Sequence, residues 1–394
     1  MDRHSKNPLI TPADVTPSLP GRKVDCVFNA GVTECDGEIV LLLRVAESVI
    51  NSDQQQRVVP LLEKTDAGWV QATASFDRRD ERYDFSDPRV IVLKSDPARV
   101  WLTSMSHLRL ARSRDGVNFR IDSQPFIIAD TQYEEFGCED ARITRIDDTA
   151  YINYSAVSSL GISTALAVTK DFVTVEKKGL ILCPDNRDVC FFPEKIAGKY
   201  HALTRPAPCH FGHPEIWICE SPDMLHWGNH RHLLGRSGDA WDCRKSGGGA
   251  PVLKTDRGWL EIYHGVDADQ RYCLGALLLD LNEPTRILAK SPVPLLEPDA
   301  PYEREGFFGN VVFTCGALIR DETLHVWYGA ADECVALATM PLDKLWRHLG
   351  LNKCRRASWV AKPPSGRGAI HTLRPLVDES LLQIMKIHNR RAGQ

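Results

Sequence analysis

Apolar and polar residues alternate with a period of two along most of the chain, and the alternation comes in short bursts that read as strands. Residues 100–104, 150–155, 200–204, 259–264 and 324–328 are aromatic-rich bursts of this kind. Each precedes a second apolar run that ends in a turn carrying Asp. The clearest copy is Leu108-Arg109-Leu110-Ala111-Arg112-Ser113-Arg114-Asp115; Asp171 and Asp223 close two more, and Asp280 and Asp343 close looser ones. In three copies an apolar residue, Phe119, Val175 or Trp227, stands four places after the Asp, whose side chain suits a turn by bonding backbone amides. The copies recur every 50 to 60 residues or so, which marks a repeat architecture. Five hairpins at this spacing, with little helical periodicity between residues 25 and 340, predict an all-β propeller and fit a parallel β/α fold poorly. A further strand over 38–45 is expected to let early and late segments share a blade and close the ring. Helical periodicity is confined to the end, where Pro375 opens a run with Val377, Leu381, Ile384 and Met385 on one face. A basic Pro-, Gly- and Ser-rich linker over 353–367 precedes it, so the expected domains are a propeller over 1–345 and a linker with a short C-terminal helical extension over 346–394.

With 394 residues, 43% hydrophobic and 25% charged, the chain has ordinary globular composition and length for a sizeable core. A net charge of -4, from 48 Lys plus Arg against 52 Asp plus Glu, argues against a nucleic-acid partner or an anionic membrane surface. No apolar run approaches the roughly 20 residues of a membrane helix; the aliphatic run 39–43 is stopped by Arg44, and the first residues are polar. The 12 cysteines are scattered through apolar runs with no C-x-x-C pair, which reads as reduced core thiols in a cytoplasmic protein.

A propeller gathers the starts of its inner strands around one axis, so site residues should recur at repeat spacing. Asn29, Asp87, Asp140, Arg187, Lys245 and Asn310 do so. The segment Glu139-Asp140-Ala141-Arg142 sets two acids beside an Arg where a strand begins. Such charges read equally well as a solvated ion pair or as a partly shielded general acid with a raised pKa. Arg187, Arg205, Lys245 and His264 stand in or next to apolar strands, and as a convergent set of cations they suit phosphate. Singly, each reads more readily as a buried ion-pair partner. The glycines 247–249 form no P-loop, because Lys245 precedes them. No metal site is expected: the 13 His include no H-E-x-x-H, and His210, His213, His226, His230 and His232 are loosely placed.

These motifs resemble glycoside hydrolase family 130, the inverting β-mannoside phosphorylases and their relatives. The matching stretches include Val27-Phe28-Asn29-Ala30-Gly31-Val32, Asp84-Phe85-Ser86-Asp87-Pro88-Arg89-Val90, Gly137-Cys138-Glu139-Asp140-Ala141-Arg142-Ile143, Phe192-Pro193-Glu194-Lys195-Ile196, Trp259-Leu260-Glu261-Ile262-Tyr263-His264-Gly265 and Tyr328-Gly329-Ala330-Ala331-Asp332. The resemblance implies five blades, with the Asp87 unit an insertion in the first. It implies a general acid at Asp140, with Ala141 where the family usually has Pro, and phosphate-binding cations at Arg187, Arg205, Lys245 and His264. Sugar contacts would fall on Asn29, Arg44, Tyr272, Asn310 and Asp332. Phosphate would be co-substrate, with no cofactor; the acid would act through the mannosyl 3-hydroxyl, and the product would be α-mannose 1-phosphate. Gly309, where β-1,4 members tend to carry Pro, leans towards β-1,2-mannosides. The rivals are a β-1,4-mannosyl-glucose or N-acetylglucosamine phosphorylase, a β-mannoside hydrolase, and a non-catalytic glycan-binding propeller. A homo-oligomer is left open.

Overall fold

A computed structural model of the chain describes residues 1–351 apart from Ala67 and Asp239. The linker expected over 353–367 and the helix expected from Pro375 lie outside the described residues. Those described are nearly all β, with two short α-helices, Pro301–Arg304 and Leu342–His348. The second helix spans the boundary expected after residue 345 and packs Leu345 and Trp346 into the same core as the strands.

Among the described residues the long strands form five antiparallel groups. The first comprises Arg22–Cys35, Glu38–Val49, Met105–Ser113 and Arg120–Ile121; the second Gly137–Ile146, Thr149–Ser158, Gly161–Thr169 and Glu176–Leu182. The third comprises Asn186–Phe191, Tyr200–Pro206, Ile216–Ser221 and Gly228–Leu234. The fourth comprises Lys245–Gly247, Gly258–Val266, Tyr272–Leu279 and Ile287–Lys290, with Leu253–Thr255 alongside. The fifth comprises Val312–Arg320, Thr323–Ala330, Cys334–Pro341 and, from the other end of the chain, Asp2–Arg3.

Two pairings differ from those expected. The Leu108 run pairs with Glu38–Val49 and not with 100–104, because a hairpin (Gln56–Thr65 with Gly68–Asp77) and a three-stranded sheet (Tyr83–Asp84, Val90–Leu93, Asp96–Leu102) are inserted between partners. Trp101 serves that insertion, packing 4.9 Å from Phe76. The strand over 38–45 therefore belongs to the first group, and early and late segments meet through Asp2–Arg3 on Cys334–Pro341. Asp343 likewise stands in the first turn of a helix, not in a hairpin turn.

The Asp turns form as their composition dictates. Asp115 Oδ1 accepts from the amides of Val117 and Asn118, Asp171 Oδ1 from Val173 and Thr174, and Asp223 Oδ1 from Leu225 and His226. The apolar residue that follows plugs the neighbouring core: Trp227 stacks on Phe191 at 5.2 Å.

Each of the five larger hydrophobic clusters is shared by two consecutive groups, first with second through to fifth with first. Burial at such seams stabilises by about 1.5–3 kcal/mol for each large side chain. Three groups also carry one polar clasp, an acid ahead of the first strand that binds a Tyr of the next and a cation of the outermost. Glu134 takes Tyr154 (2.8 Å) and Lys177 (3.0 Å), and Asp242 takes Tyr263 (3.2 Å) and Lys290 (2.7 Å). Glu303 takes Tyr328 (2.7 Å) and Arg3 (2.7 Å). The clasp lets a buried carboxylate keep its charge satisfied while it pins the outer strand.

Candidate active site

The first strands of the first three groups each bulge where one residue adopts a left-handed backbone: Asn29 (φ 46°), Asp140 (φ 49°) and Asp188 (φ 55°). Asn and Asp tolerate that conformation best among residues with a side chain, and a bulge re-aims the side chain out of the strand's alternation. All three are aimed at one another's neighbourhood.

Asp140 Oδ1 accepts from Asn29 Nδ2 and from Arg44 Nη1, both at 3.0 Å. Arg44 Nη2 holds Glu139 at 2.7 Å while its guanidinium lies 4.5 Å from the Phe28 ring centre. Burial raises the Glu139 carboxyl above its ordinary value despite Arg44. Asp332, also left-handed (φ 52°), faces the same group: burial pushes its carboxyl up to about 6 against the pull of Arg44, with Asp140 adding to the rise.

Arg142 joins this acidic half to a cationic half. Its Nη1 donates to the Asp140 carbonyl (3.0 Å), its Nε to the Gly249 carbonyl (2.7 Å), and its Nη2 to Asp188 Oδ1 and the Gly248 carbonyl, both at 3.2 Å. Asp188 accepts from Arg205 Nε at 2.5 Å and lies 3.7 Å from His264 Nε2. Burial alone would raise this carboxyl, but Arg205, His264, Arg142 and Arg187 hold it well below the usual carboxylate range. Arg187 pairs across the ladder with Arg205, and its buried Nε has no hydrogen-bond partner among the described residues. Lys245 bonds the Tyr272 hydroxyl and sits 4.5 Å from that ring's centre; burial and the charge of Arg205 push its ammonium down to about 8.

His264 is corrected as a cation. Burial, with Arg205 and Lys245 beside it, pushes the imidazole down to about 3, so it is neutral here and offers a ring N–H or a lone pair. The glycines after Lys245 answer to close packing: a Cβ at Gly248 would lie 2.5 Å from Cys190 Sγ, and one at Gly247 2.5 Å from the His264 ring. Gly309 is explained likewise, because a Cβ there would overlap the Arg304 carbonyl oxygen. Its smallness serves that contact.

The structure thus brings Asn29, Arg44, Asp140 and Asp332 together at one end, and Arg187, Arg205, Lys245, His264 and Tyr272 at the other. Asn310 lies at the rim, exposed, with its carbonyl accepting from the Tyr272 amide at 3.1 Å. Asp87 is engaged in a fork from Arg89 (2.8 and 3.0 Å), and Arg89 in turn lies over the Phe308 ring at 4.6 Å and acts electrostatically on Asp332. Sequence reasoning passed over Arg142 and Asp188 as site residues. Their signal was charge inside otherwise apolar first strands, the same signal that marked Arg187. Among the described residues no cluster of His, Cys, Asp and Glu is arranged to hold a metal ion.

Residues 98–350 match the profile of glycoside hydrolase family 130, described as β-1,4-mannooligosaccharide phosphorylase. The chain is 46% identical over 348 residues to a β-1,2-mannobiose phosphorylase of Listeria innocua, covering 88% of this chain and 98% of that protein. It is 38% identical over 244 residues to a 1,2-β-oligomannan phosphorylase of Thermoanaerobacter, covering 61% and 80%. The solved structure of the Listeria innocua enzyme with β-1,2-mannobiose is similar with a TM-score of 0.85 over 89% of this chain and 99% of that one.

Proposed function

Because the chain belongs to glycoside hydrolase family 130, we propose that it is an inverting phosphorylase that splits β-1,2-linked mannobiose and short oligomannosides into α-mannose 1-phosphate and a shortened acceptor. One observation carries the choice of phosphate over water. Arg142, Arg187, Arg205 and Lys245 surround the single carboxylate of Asp188, an enclosed excess of positive charge that an anion would complete. A hydrolase needs a second carboxylate to activate water, whereas phosphate attacks by itself and needs cations to hold it. Of the two acids beside Asp140, Glu139 is engaged by Arg44 and Asp332 is read here as a sugar contact.

In this reading phosphate rests against Arg187, Arg205 and Lys245, with neutral His264 donating a hydrogen bond. A phosphate oxygen attacks C1 of the mannosyl unit from the face opposite the leaving sugar, which inverts the centre. Asp140 delivers its proton towards the departing oxygen through the mannosyl 3-hydroxyl, while Arg44 and Asn29 fix the carboxyl's direction. Asp332, Tyr272 and the rim at Asn310 are placed to contact sugar. The β-1,2 linkage rests on the substrates named for the two relatives above. We read the five strand groups as the blades of a propeller, supported by the five seams that run from each group to the next and from the last back to the first.

Incubation with β-1,2- and β-1,4-mannobiose, with and without phosphate, tests the proposal. α-Mannose 1-phosphate should form from the β-1,2 disaccharide in phosphate alone. Free mannose appearing at the same rate without phosphate would make the protein a hydrolase.

A further inference from the structure

A second set of charges is buried in the first strand group, outside the acid–cation cluster. Strand alternation puts His107 and Arg109 on one face of Met105–Ser113, and Glu47 stands across the ladder from Met105 on that face. Arg22 enters from the strand paired to the other side of Glu38–Val49. All three nitrogenous side chains are closed off from solvent, Arg109 at 0% exposure, His107 at 7% and Arg22 at 9%. Arg22, Glu47 and His107 line a small cavity of about 10 Å³, together with Ser18 of the N-terminal segment and Gln71 of the inserted hairpin.

Charge does not balance there. Glu47 acts on both guanidiniums, yet its oxygens are already taken by the Ser18 amide (2.7 Å) and hydroxyl (2.5 Å), and it lies 3.9 Å from Arg109 Nη2, too far for a hydrogen bond. Asp122, the other acid that acts on Arg109, is paired with Arg112 at 2.6 Å. Two buried guanidiniums thus share one carboxylate, and burial holds both below their ordinary value. Donors are also spare. Arg22 reaches Gln71 only at 3.4 Å through Nη2, while Arg22 Nη1, His107 Nε2 and Arg109 Nε have no hydrogen-bond partner among the described residues. Burial and Arg109 push the His107 imidazole down to about 3, so it is neutral and can present an N–H without adding charge. A water would satisfy some of these donors and leave the excess charge, whereas an anion answers both. The space is roughly that of one water, which excludes phosphate and sulfate with their four oxygens and suits a monatomic ion.

We propose that this cavity binds one small monovalent anion, chloride, held by Arg22 and His107 beside Arg109, and that the ion fastens the N-terminal segment and the inserted hairpin to the first strand group. The inference is independent of the phosphorylase reading, since none of these residues belongs to the phosphate cluster. The test is thermal unfolding of the wild type, Arg22→Met and Arg187→Ala without phosphate, as sodium chloride replaces sodium gluconate at constant ionic strength. The wild type should melt about 1–3 °C higher in chloride, and the gain should level off as the site fills. Arg22→Met, which keeps the bulk and removes the charge, should lose the gain, and Arg187→Ala should keep it. A wild type that melts alike in both salts overturns the site; so does a gain that survives in Arg22→Met, or one that vanishes in Arg187→Ala and so places the ion among the phosphate cations. A crystal of the wild type soaked in sodium bromide decides the matter without a variant. An anomalous peak at hydrogen-bonding distance from Arg22 Nη1 and His107 Nε2 upholds the site, and a water there with no anomalous signal refutes it. A bromide peak without any gain in melting temperature is an adventitious ion only and overturns the proposal.

Discussion

At Asp140 a left-handed backbone turns a carboxyl out of its strand and into the grip of Arg44 and Asn29. Asn at this position keeps both the conformation and the shape but has no proton to give. Asp140→Asn should therefore fold and melt as the wild type does and lose about 10²- to 10⁴-fold in kcat with mannobiose and phosphate. Lys245 sets a pH dependence. A base whose value is lowered is charged below it and loses charge above it, so KM for phosphate should stay low below pH 8 and climb above it. Lys245→Arg should flatten that climb, as measured on either side of pH 8. The same shift acts on stability with the opposite sense: between about 8 and the ordinary 10.5 the unfolded chain holds more protons, so this group favours the fold increasingly as pH rises through that window. That Asp140, Arg187, Arg205 and Lys245 stand at strand starts was legible in the sequence because charge inside apolar strands is expensive and so conspicuous, while the roles given to them came from the family resemblance. The neutrality of His264 was not, since it follows from burial and from Arg205 and Arg142 of other strand groups together with Lys245 of its own.

Elements were legible where their causes are local. The Asp turns, with a hydroxyl two residues before the Asp and an amide cage after it, are written within six residues, and all three clear copies formed. Pairing was less legible, because which run meets 108–115 depends on an insertion folding as a hairpin and a three-stranded sheet packed together at Phe76, Tyr83 and Trp101. The strand Gly258–Val266 shows a further effect of placement. Glu261 is fully buried; its Oε1 accepts from the Gly249 amide at 2.9 Å, and the Gly249 carbonyl in turn holds Arg142 Nε. Burial pushes the carboxyl up to about 8, so it is neutral at pH 7 and acts as an amide acceptor without bringing a charge. Glu261→Gln should then preserve kcat/KM, whereas Glu261→Leu leaves the Gly249 amide unpaired and should cost about tenfold or more, with Arg142 displaced. Steady-state kinetics on both variants, beside their melting curves, checks this.

At the scale of the whole molecule, no group of strands among the described residues buries its faces alone. Each seam is completed by the next group, and the last is completed by the first. The fifth group also needs Arg3, whose guanidinium binds the fully buried Glu303 through two bonds of 2.7 Å. Arg3→Ala would leave that carboxylate with Tyr328 and two backbone amides but no countercharge. It should lower stability by about 3 kcal/mol, the lower end for losing one partner of a buried pair; urea unfolding measures it, and kcat of the folded fraction should be unchanged.

Asp2 pairs with Thr339 and Arg3 with Ala338, which has a consequence for how the protein is made. More than 300 residues separate the two segments, and a ribosome adds about 5–20 residues each second, so the earlier-made segment waits tens of seconds for its partner. Through that interval Arg3 is free in water, the strand Cys334–Pro341 does not yet exist, and the seam between the first and last groups stands open. Earlier groups can pack on one another in order of synthesis, but the circuit of cores is sealed only once Cys334–Pro341 has been made, and by residues that preceded every strand group.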